Sequence, residues 1–199
     1  MIKYEKNLYW SEQHNLKLDQ LADSCEKIVN YAENNLKGKG NTADIPLIGD
    51  TYNSYNLLLF PLPEIQRLYY SIAGSFKQIR KDSDWWIKCW ANVYSDQAHH
   101  DWHQHHTHYT ETVPMYPSYH GIFCVQGIDT ATTYRNNNTN EQVHIYQKPN
   151  QLTLIQNHAD WYHRTWPYKQ KETRITVAFN IIHRQDLLPF AHINHWMPL

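Results

Sequence analysis

The chain has 199 residues, which is enough for one domain with a full hydrophobic core. Its 18 lysine and arginine residues nearly balance its 19 aspartate and glutamate residues, and the net charge of -1 gives no electrostatic case for a nucleic-acid partner or a membrane surface. No apolar run is long enough to cross a bilayer, the first residues lack the apolar centre of a signal peptide, and the three cysteines are scattered. We therefore expect a cytoplasmic protein in a reducing compartment.

The first 84 residues show helical periodicity. Apolar residues recur at mostly three- and four-residue steps over residues 11–36, and again over residues 65–79 after Pro63, so both stretches are predicted helices. Residues 44–55 contain proline, glycine and asparagine and are predicted to be a loop. We expect residues 1–84 to form a helical and loop region that supports a core over residues 85–199, within one compact domain.

From Trp85 onward, short β-like runs alternate with turn residues. The predicted strands cover residues 85–94, 119–126, 130–134, 143–147, 151–156 and 173–182. The spacers between them hold proline, glycine and a run of asparagines, and they show no helical pattern. Several short strands spaced in this way predict an all-β sandwich or barrel.

Histidine is concentrated directly after the first of these strands. Six of the fourteen histidines of the chain lie within residues 99–108. Neutral imidazole is the commonest metal-binding side chain, so this density suggests a metal site. If strand geometry continues through Trp102, residues two apart point the same way and can hold one ion together. The pairs that satisfy this spacing are His99 with Asp101, Asp101 with His103, and His103 with His105.

The last predicted strand carries an arginine where a buried strand would normally be apolar. Ile175, Val177 and Phe179 share one face of this strand, whereas Arg174 and Thr176 share the other. An arginine on an interior face needs an anionic partner, because an unpaired buried charge is costly. A guanidinium beside a hydroxyl suits a small-molecule carboxylate, and the competing interpretation is an exposed arginine on an edge strand.

These features together resemble the Fe(II)- and 2-oxoglutarate-dependent oxygenases over about residues 90–180. The resemblance consists of a metal-ligand pair two residues apart, a third histidine some distance later, and an arginine beyond that. Further matching motifs are Trp-x-Asn, Gly-x-x-x-Val and Arg-x-Thr-x-x-Phe-Asn, which begin here at Trp90, Gly121 and Arg174. The resemblance implies a mainly β fold with N-terminal helices around a double-stranded β-helix, that is, a cupin-like jelly roll.

The resemblance also implies roles for particular residues. The distal metal ligand corresponds to His163, with His158 as a rival, and the 2-oxoglutarate anchor corresponds to Arg174 with Thr176 beside it. In this family the first two ligands follow the Trp-x-Asn motif at a characteristic distance in sequence. Counting that distance from Asn92 implies His103 and His105. The alternative pair, His99 and Asp101, would supply the carboxylate ligand that most members of the superfamily have.

The implied cofactors are Fe(II) and 2-oxoglutarate as co-substrate, with three facial ligands leaving open positions on the metal. In that chemistry 2-oxoglutarate is converted to succinate and a substrate of unidentified nature is hydroxylated. Two further interpretations stay open: a cupin-like metal protein without 2-oxoglutarate chemistry, and a β-sandwich binding or structural module with incidental histidines. Residues 106–118 are long enough to act as a lid or substrate loop. The polar aromatic residues that could line the pocket are Tyr94, Tyr119, His120, Tyr134 and Tyr146.

Overall fold

A computed structural model describes residues 1–6, 8–36, 55–95, 97–105, 116–127, 130–158, 160–187 and 195–199. Its strands are β1 (Lys3–Glu5), β2 (Tyr9–Gln13), β3 (Trp85–Tyr94), β4 (Tyr119–Gln126), β5 (Thr130–Asn136), β6 (Gln142–Gln147), β7 (Gln151–Gln156), β8 (Trp161–Thr165), β9 (Arg174–His183) and β10 (Met197–Pro198). Its helices are α1 (Leu18–Asn35), α2 (Pro63–Ile79) and α3 (Arg184–Leu187), with a 3-10 turn at Leu57–Leu59. The predicted loop over residues 44–55 and the predicted lid over residues 106–118 lie mostly outside the described residues.

The described strands form two antiparallel sheets. The large sheet has the order β1-β2-β7-β4-β9-β3-β10, and the small sheet has the order β6-β5-β8. The six strands predicted from the sequence correspond to β3, β4, β5, β6, β7 and β9, with ends shifted by two residues at most.

Residues 97–105 extend the small sheet beyond β8. The amide of Gln97 donates to the carbonyl of Tyr168, and the amide of Thr165 donates to the carbonyl of His100. His103 then forms an antiparallel bridge with His163. Counted together with residues 97–105, the small sheet has four strands, and they face four strands of the large sheet (β7, β4, β9 and β3). The core is therefore the double-stranded β-helix that the family resemblance implied.

Helices α1 and α2 cover one face of the large sheet, as expected for supporting helices. Both are amphipathic, and their buried residues join the outward-facing apolar residues of the sheet in one core. The main contributors are Leu21, Cys25 and Ile28 from α1, Leu68, Ile72 and Phe76 from α2, and Ile87, Phe123, Val177 and Phe179 from the sheet. No helix within the described ranges has the length and hydropathy required to span a membrane.

Part of the N-terminal prediction was wrong. Residues 11–13 belong to β2, which pairs with β7, and α1 begins only at Leu18. The backbone between them is held by Asn150, whose carbonyl accepts from the His14 amide and whose side chain accepts from the Leu16 amide. These long-range bonds prevent helix formation before Leu18. The boundary between a support region over residues 1–84 and a core over residues 85–199 stays a prediction, with β2 of the first region pairing with β7 of the second.

The opposite face of the large sheet lines a cavity of about 430 Å³ between the two sheets. This face carries polar groups because strand alternation in β9 turns Arg174, Thr176 and Asn180 toward the cavity, together with Ala178. The alternate residues, Ile175, Val177 and Phe179, face the helices. The neighbouring strand β3 contributes Trp90 and Asn92 in the same way. A volume of this size is typical of a small-molecule site.

Candidate metal centre

Three imidazole side chains from two parts of the chain meet in this cavity. His103 and His163 face each other across the backbone bridge, in which each amide donates to the other's carbonyl oxygen at 2.9 Å. The ring centroid of His105 is 5.5 Å from that of His103 and 4.9 Å from that of His163. One ring nitrogen of each residue lies within 4.8 Å of the other two. A single metal ion can therefore contact all three.

The other ring nitrogen of two of these residues is held by an acceptor. Nδ1 of His103 donates to the carbonyl oxygen of Asp101 at 2.6 Å, and Nδ1 of His105 donates to Oδ1 of Asn180 at 2.6 Å. These bonds fix the tautomer and leave Nε2 of both rings available as a ligand atom. Metal-binding histidines in proteins are oriented by partners of this kind.

Burial keeps the three rings uncharged. Desolvation is the largest cause that lowers the pKa of His103, and it holds the pKa of His105 and of His163 well below 6.5. Repulsion between neighbouring imidazolium charges lowers the pKa of His105 and His163 further. At neutral pH the rings are in the form that binds a metal.

A fourth imidazole, that of His120 on β4, packs against the group with both nitrogens already engaged. Nδ1 is hydrogen-bonded to Oδ1 of Asn157, and Nε2 lies 2.9 Å from the hydroxyl of Tyr134. The ring is stacked on that of His163 at a centroid distance of 5.0 Å and an interplanar angle of 9°. Burial lowers the pKa of His120 to about 4. His120 therefore packs against the histidine group, and both of its ring nitrogens are already hydrogen-bonded.

Arg174 lies in the same cavity with most of its hydrogen-bonding capacity unused. Its side chain is 1% exposed, its Nη2 donates to Oε1 of Gln147 at 2.9 Å, and its Cζ lies 4.6 Å from the centroid of the Tyr94 ring. Its Nε and Nη1 are buried without a hydrogen-bond partner in the described part of the chain. A buried guanidinium with two free donor groups is a strong binding site for a carboxylate.

Three further buried polar groups were not indicated by the sequence. Nε2 of Gln147, Oδ1 of Asn92 and Oγ1 of Thr132 are buried without a partner among the described residues. Nδ2 of Asn92 lies 3.5 Å from Oγ1 of Thr176, the hydroxyl that was predicted to accompany Arg174. Asn180, which orients His105, could have been found by extending the strand alternation from Arg174 through Thr176.

The rival ligands do not join the three-histidine group. Nδ1 of His99 donates to the carbonyl of Gln97, Asp101 is exposed, and His158 is exposed. None of them belongs to a metal-binding group found within the described ranges. Strand β3 ends at Tyr94, so the assumed continuation of strand geometry through Trp102 was wrong.

The aromatic residues predicted to line the pocket divide between the two sides of the sheets. Tyr94 and His120 line the cavity, and Tyr134 contacts His120. The prediction was wrong for Tyr119, which belongs to the core beneath the helices, and for Tyr146, which is 63% exposed. Alternation along β4 and β6 turns these two side chains away from the cavity.

The residues present fit Fe(II) and 2-oxoglutarate. Three neutral imidazoles on one side of a cavity leave positions for further ligands on a metal, and imidazole nitrogens suit iron among other divalent metals. An unsatisfied guanidinium in the same cavity suits the distal carboxylate of a dicarboxylic keto-acid. The histidine group found among the described residues contains no carboxylate, unlike the usual ligand set of the oxygenases that the sequence resembles.

Comparison with known proteins yields matches in structure only. No protein-family model matches the sequence, and no curated protein is significantly similar to it. A prolyl hydroxylase from Trichoplax adhaerens, solved with a hypoxia-inducible-factor peptide, superimposes with a TM-score of 0.61 at 11% identity over 91% of this chain and 86% of the other. A Pseudomonas putida prolyl-4-hydroxylase gives 0.56 at 12% identity over 88% and 92%.

The non-heme alpha-ketoglutarate-dependent epimerase SnoN of nogalamycin biosynthesis gives a TM-score of 0.61 at 10% identity, over 88% of this chain and 76% of the other. At such identities the similarity establishes the fold. The resemblance seen in the sequence is confirmed at that level: the chain has the double-stranded β-helix fold of the Fe(II)/2-oxoglutarate oxygenases.

Proposed function

We propose that the protein is an Fe(II)- and 2-oxoglutarate-dependent oxygenase of the hydroxylase type. The observation that carries this proposal is the buried guanidinium of Arg174, whose Nε and Nη1 have no partner among the described residues and which shares one cavity with three neutral imidazoles. A protein that bound only a metal would have no need for this uncompensated charge, whereas a keto-acid with a distal carboxylate would neutralise it. The prolyl hydroxylases among the similar structures support the reaction class.

The proposed roles divide between metal and co-substrate. His103, His105 and His163 hold Fe(II), and Arg174 with Thr176 binds the distal carboxylate of 2-oxoglutarate. When bound, the iron and keto-acid supply the oxidising power that inserts one oxygen atom of O₂ into a C–H bond while the keto-acid becomes succinate and CO₂. The chain orients His105 through Asn180 and His103 through the backbone carbonyl of Asp101.

The test is succinate formation by the purified chain with Fe(II), 2-oxoglutarate and ascorbate under air. We expect succinate even without the primary substrate, because such enzymes turn over slowly in uncoupled form. The His163→Ala variant should lose this activity, whereas His158→Ala, the matched change at an exposed histidine, should keep it. Failure of the wild-type protein to form more succinate than His163→Ala would refute the oxygenase proposal.

The all-imidazole ligand set favours one alternative, a cupin-like metal protein that does not use 2-oxoglutarate. In that case the three histidines would bind the metal and Arg174 would have a structural role. Stoichiometric, tight Fe(II) binding without succinate formation would support this alternative. No stoichiometric metal at all would point to a binding or structural module.

A further inference from the structure

His100 occupies a fixed position in the wall of the cavity. Its backbone is tied to β8 on both sides, because its amide donates to Oγ1 of Thr165 at 2.7 Å and its carbonyl accepts from the Thr165 amide at 3.1 Å. This places its side chain among the cavity-lining residues. None of the roles assigned above uses it.

The ring of His100 lies between the two parts of the proposed site. Its centroid is 5.5 Å from that of His103 and 5.7 Å from that of Tyr94, which meets it edge-on. The guanidinium of Arg174 lies over the same Tyr94 ring. His103, His100, Tyr94 and Arg174 therefore form a continuous wall that runs from the metal ligands to the carboxylate anchor.

The imidazole of His100 is also unused as a hydrogen-bonding group. Its backbone amide and carbonyl are bonded, but neither ring nitrogen has a hydrogen-bond partner in the described part of the chain. A neutral imidazole offers one N–H donor and one acceptor nitrogen. It is not one of the three residues that can share a metal ion.

We propose that His100 donates a hydrogen bond to the metal-proximal carboxylate of the bound keto-acid and so orients it for chelation. This inference rests on the proposed function. A keto-acid that spans from the metal to Arg174 has acceptors only at its two ends, because the carbons between them are methylenes. Arg174 serves the distal end, and the His100 ring borders His103 at the other.

The experiment measures anaerobic binding of two keto-acids to the Mn(II)-loaded full chain. 2-Oxoglutarate has both carboxylates, whereas 2-oxobutyrate lacks the distal one. The His100→Phe variant keeps a ring against Tyr94 but loses the donor, and His100→Gln keeps a donor of similar reach. His99→Phe makes the same substitution one residue earlier and serves as the matched control.

A hydrogen bond to a charged group predicts a roughly ten- to hundredfold rise in the dissociation constant of 2-oxoglutarate for His100→Phe. The rise should be the same for 2-oxobutyrate, because the metal-proximal carboxylate is common to both acids. His100→Gln should recover most of the affinity, and His99→Phe should bind like the wild type. Mn(II) affinity should stay within about twofold in all variants, since His100 is not a ligand in this account.

Each other outcome overturns the assignment in an identifiable way. An equal loss of Mn(II) and keto-acid affinity in His100→Phe would make His100 a metal ligand. If His100→Phe loses affinity for 2-oxoglutarate alone, His100 contacts the distal carboxylate instead. If His100→Phe and His100→Gln lose affinity equally, the His100 ring contributes packing and no hydrogen bond. Unchanged binding in His100→Phe refutes this inference alone. Absence of keto-acid binding by the wild type refutes the proposed function as well.

Discussion

Replacing Arg174 with methionine should separate co-substrate binding from metal binding and from folding. Methionine has a similar length but no charge and no donor. Removing the charged partner of a buried carboxylate costs about 2–5 kcal/mol, so the dissociation constant of 2-oxoglutarate should rise roughly thirty- to several-thousandfold. Mn(II) affinity should be nearly unchanged, because the residues that can share a metal ion are His103, His105 and His163 and do not include Arg174.

The same substitution should not destabilise the metal-free protein much. It leaves Oε1 of Gln147 without its 2.9 Å bond, which costs about 1–3 kcal/mol. It also removes a guanidinium that is 1% exposed and has two unpartnered nitrogens among the described residues, and burying such a charge costs several kcal/mol. The free energy of unfolding should therefore rise, or fall by no more than about 1 kcal/mol.

Urea denaturation of the metal-free protein and calorimetric titration with Mn(II) and then 2-oxoglutarate measure all three quantities. Arg67→Met, the same change at an exposed arginine on α2, is the control and should alter neither binding step. A loss of 2-oxoglutarate affinity below about threefold would refute the assigned role of Arg174, since a desolvated charge pair is worth far more. A parallel loss of metal affinity would refute the separation of the two sites.

Three further predictions concern the surroundings of the metal site and the packing of the large sheet. Asn180→Ala should weaken metal binding roughly ten- to hundredfold, because the His105 ring loses the hydrogen bond that orients it. A metal affinity equal to wild type would contradict this orienting role. Burial lowers the pKa of His120 to about 4 in the folded protein, against about 6.5 in the unfolded chain. Its contribution to stability is therefore complete above pH 6.5, and the free energy of unfolding of the metal-free protein should fall by roughly 3 kcal/mol as the pH falls toward 4. Denaturation curves should show this loss diminished in His120→Gln; identical pH profiles would contradict it. Gly121→Ala should destabilise the protein by about 1–3 kcal/mol, because the added Cβ would lie 2.2 Å from a phenylalanine ring of β9. Gly74→Ala, with open space around it in α2, should instead be neutral or stabilising. Thermal denaturation of both variants measures the difference, and equal melting temperatures would contradict it.

The strands of the core could be predicted because their residue patterns are local. Alternation in β9 placed Arg174 and Thr176 on one face and Val177 on the other, and this is how the sheet is built. Strands β1 and β2 were missed because β2 is held by pairing with β7, more than a hundred residues away, and β1 pairs only with β2. The start of α1 was misplaced for the same reason, since bonds to Asn150 override local helix periodicity.

The candidate site was predictable in part. The residue spacing of the oxygenases that the sequence resembles indicated His103, His105 and His163 as ligands. The structure brings these three side chains together, and their role as ligands stays a prediction. No local pattern could assign His100 or Gln147, because their positions depend on an irregular segment and on the packing of one sheet against the other. His103 meets His163 through the backbone bridge between residues 97–105 and β8.

The most direct test of the account is the position of iron in crystals prepared without oxygen with Fe(II) and 2-oxoglutarate, located by anomalous scattering at the iron edge. We predict one iron peak that contacts Nε2 of His103, Nε2 of His105 and the ring of His163, and a keto-acid whose distal carboxylate bonds Arg174. Iron bound at His99 and Asp101, or a keto-acid that does not contact Arg174, would contradict it.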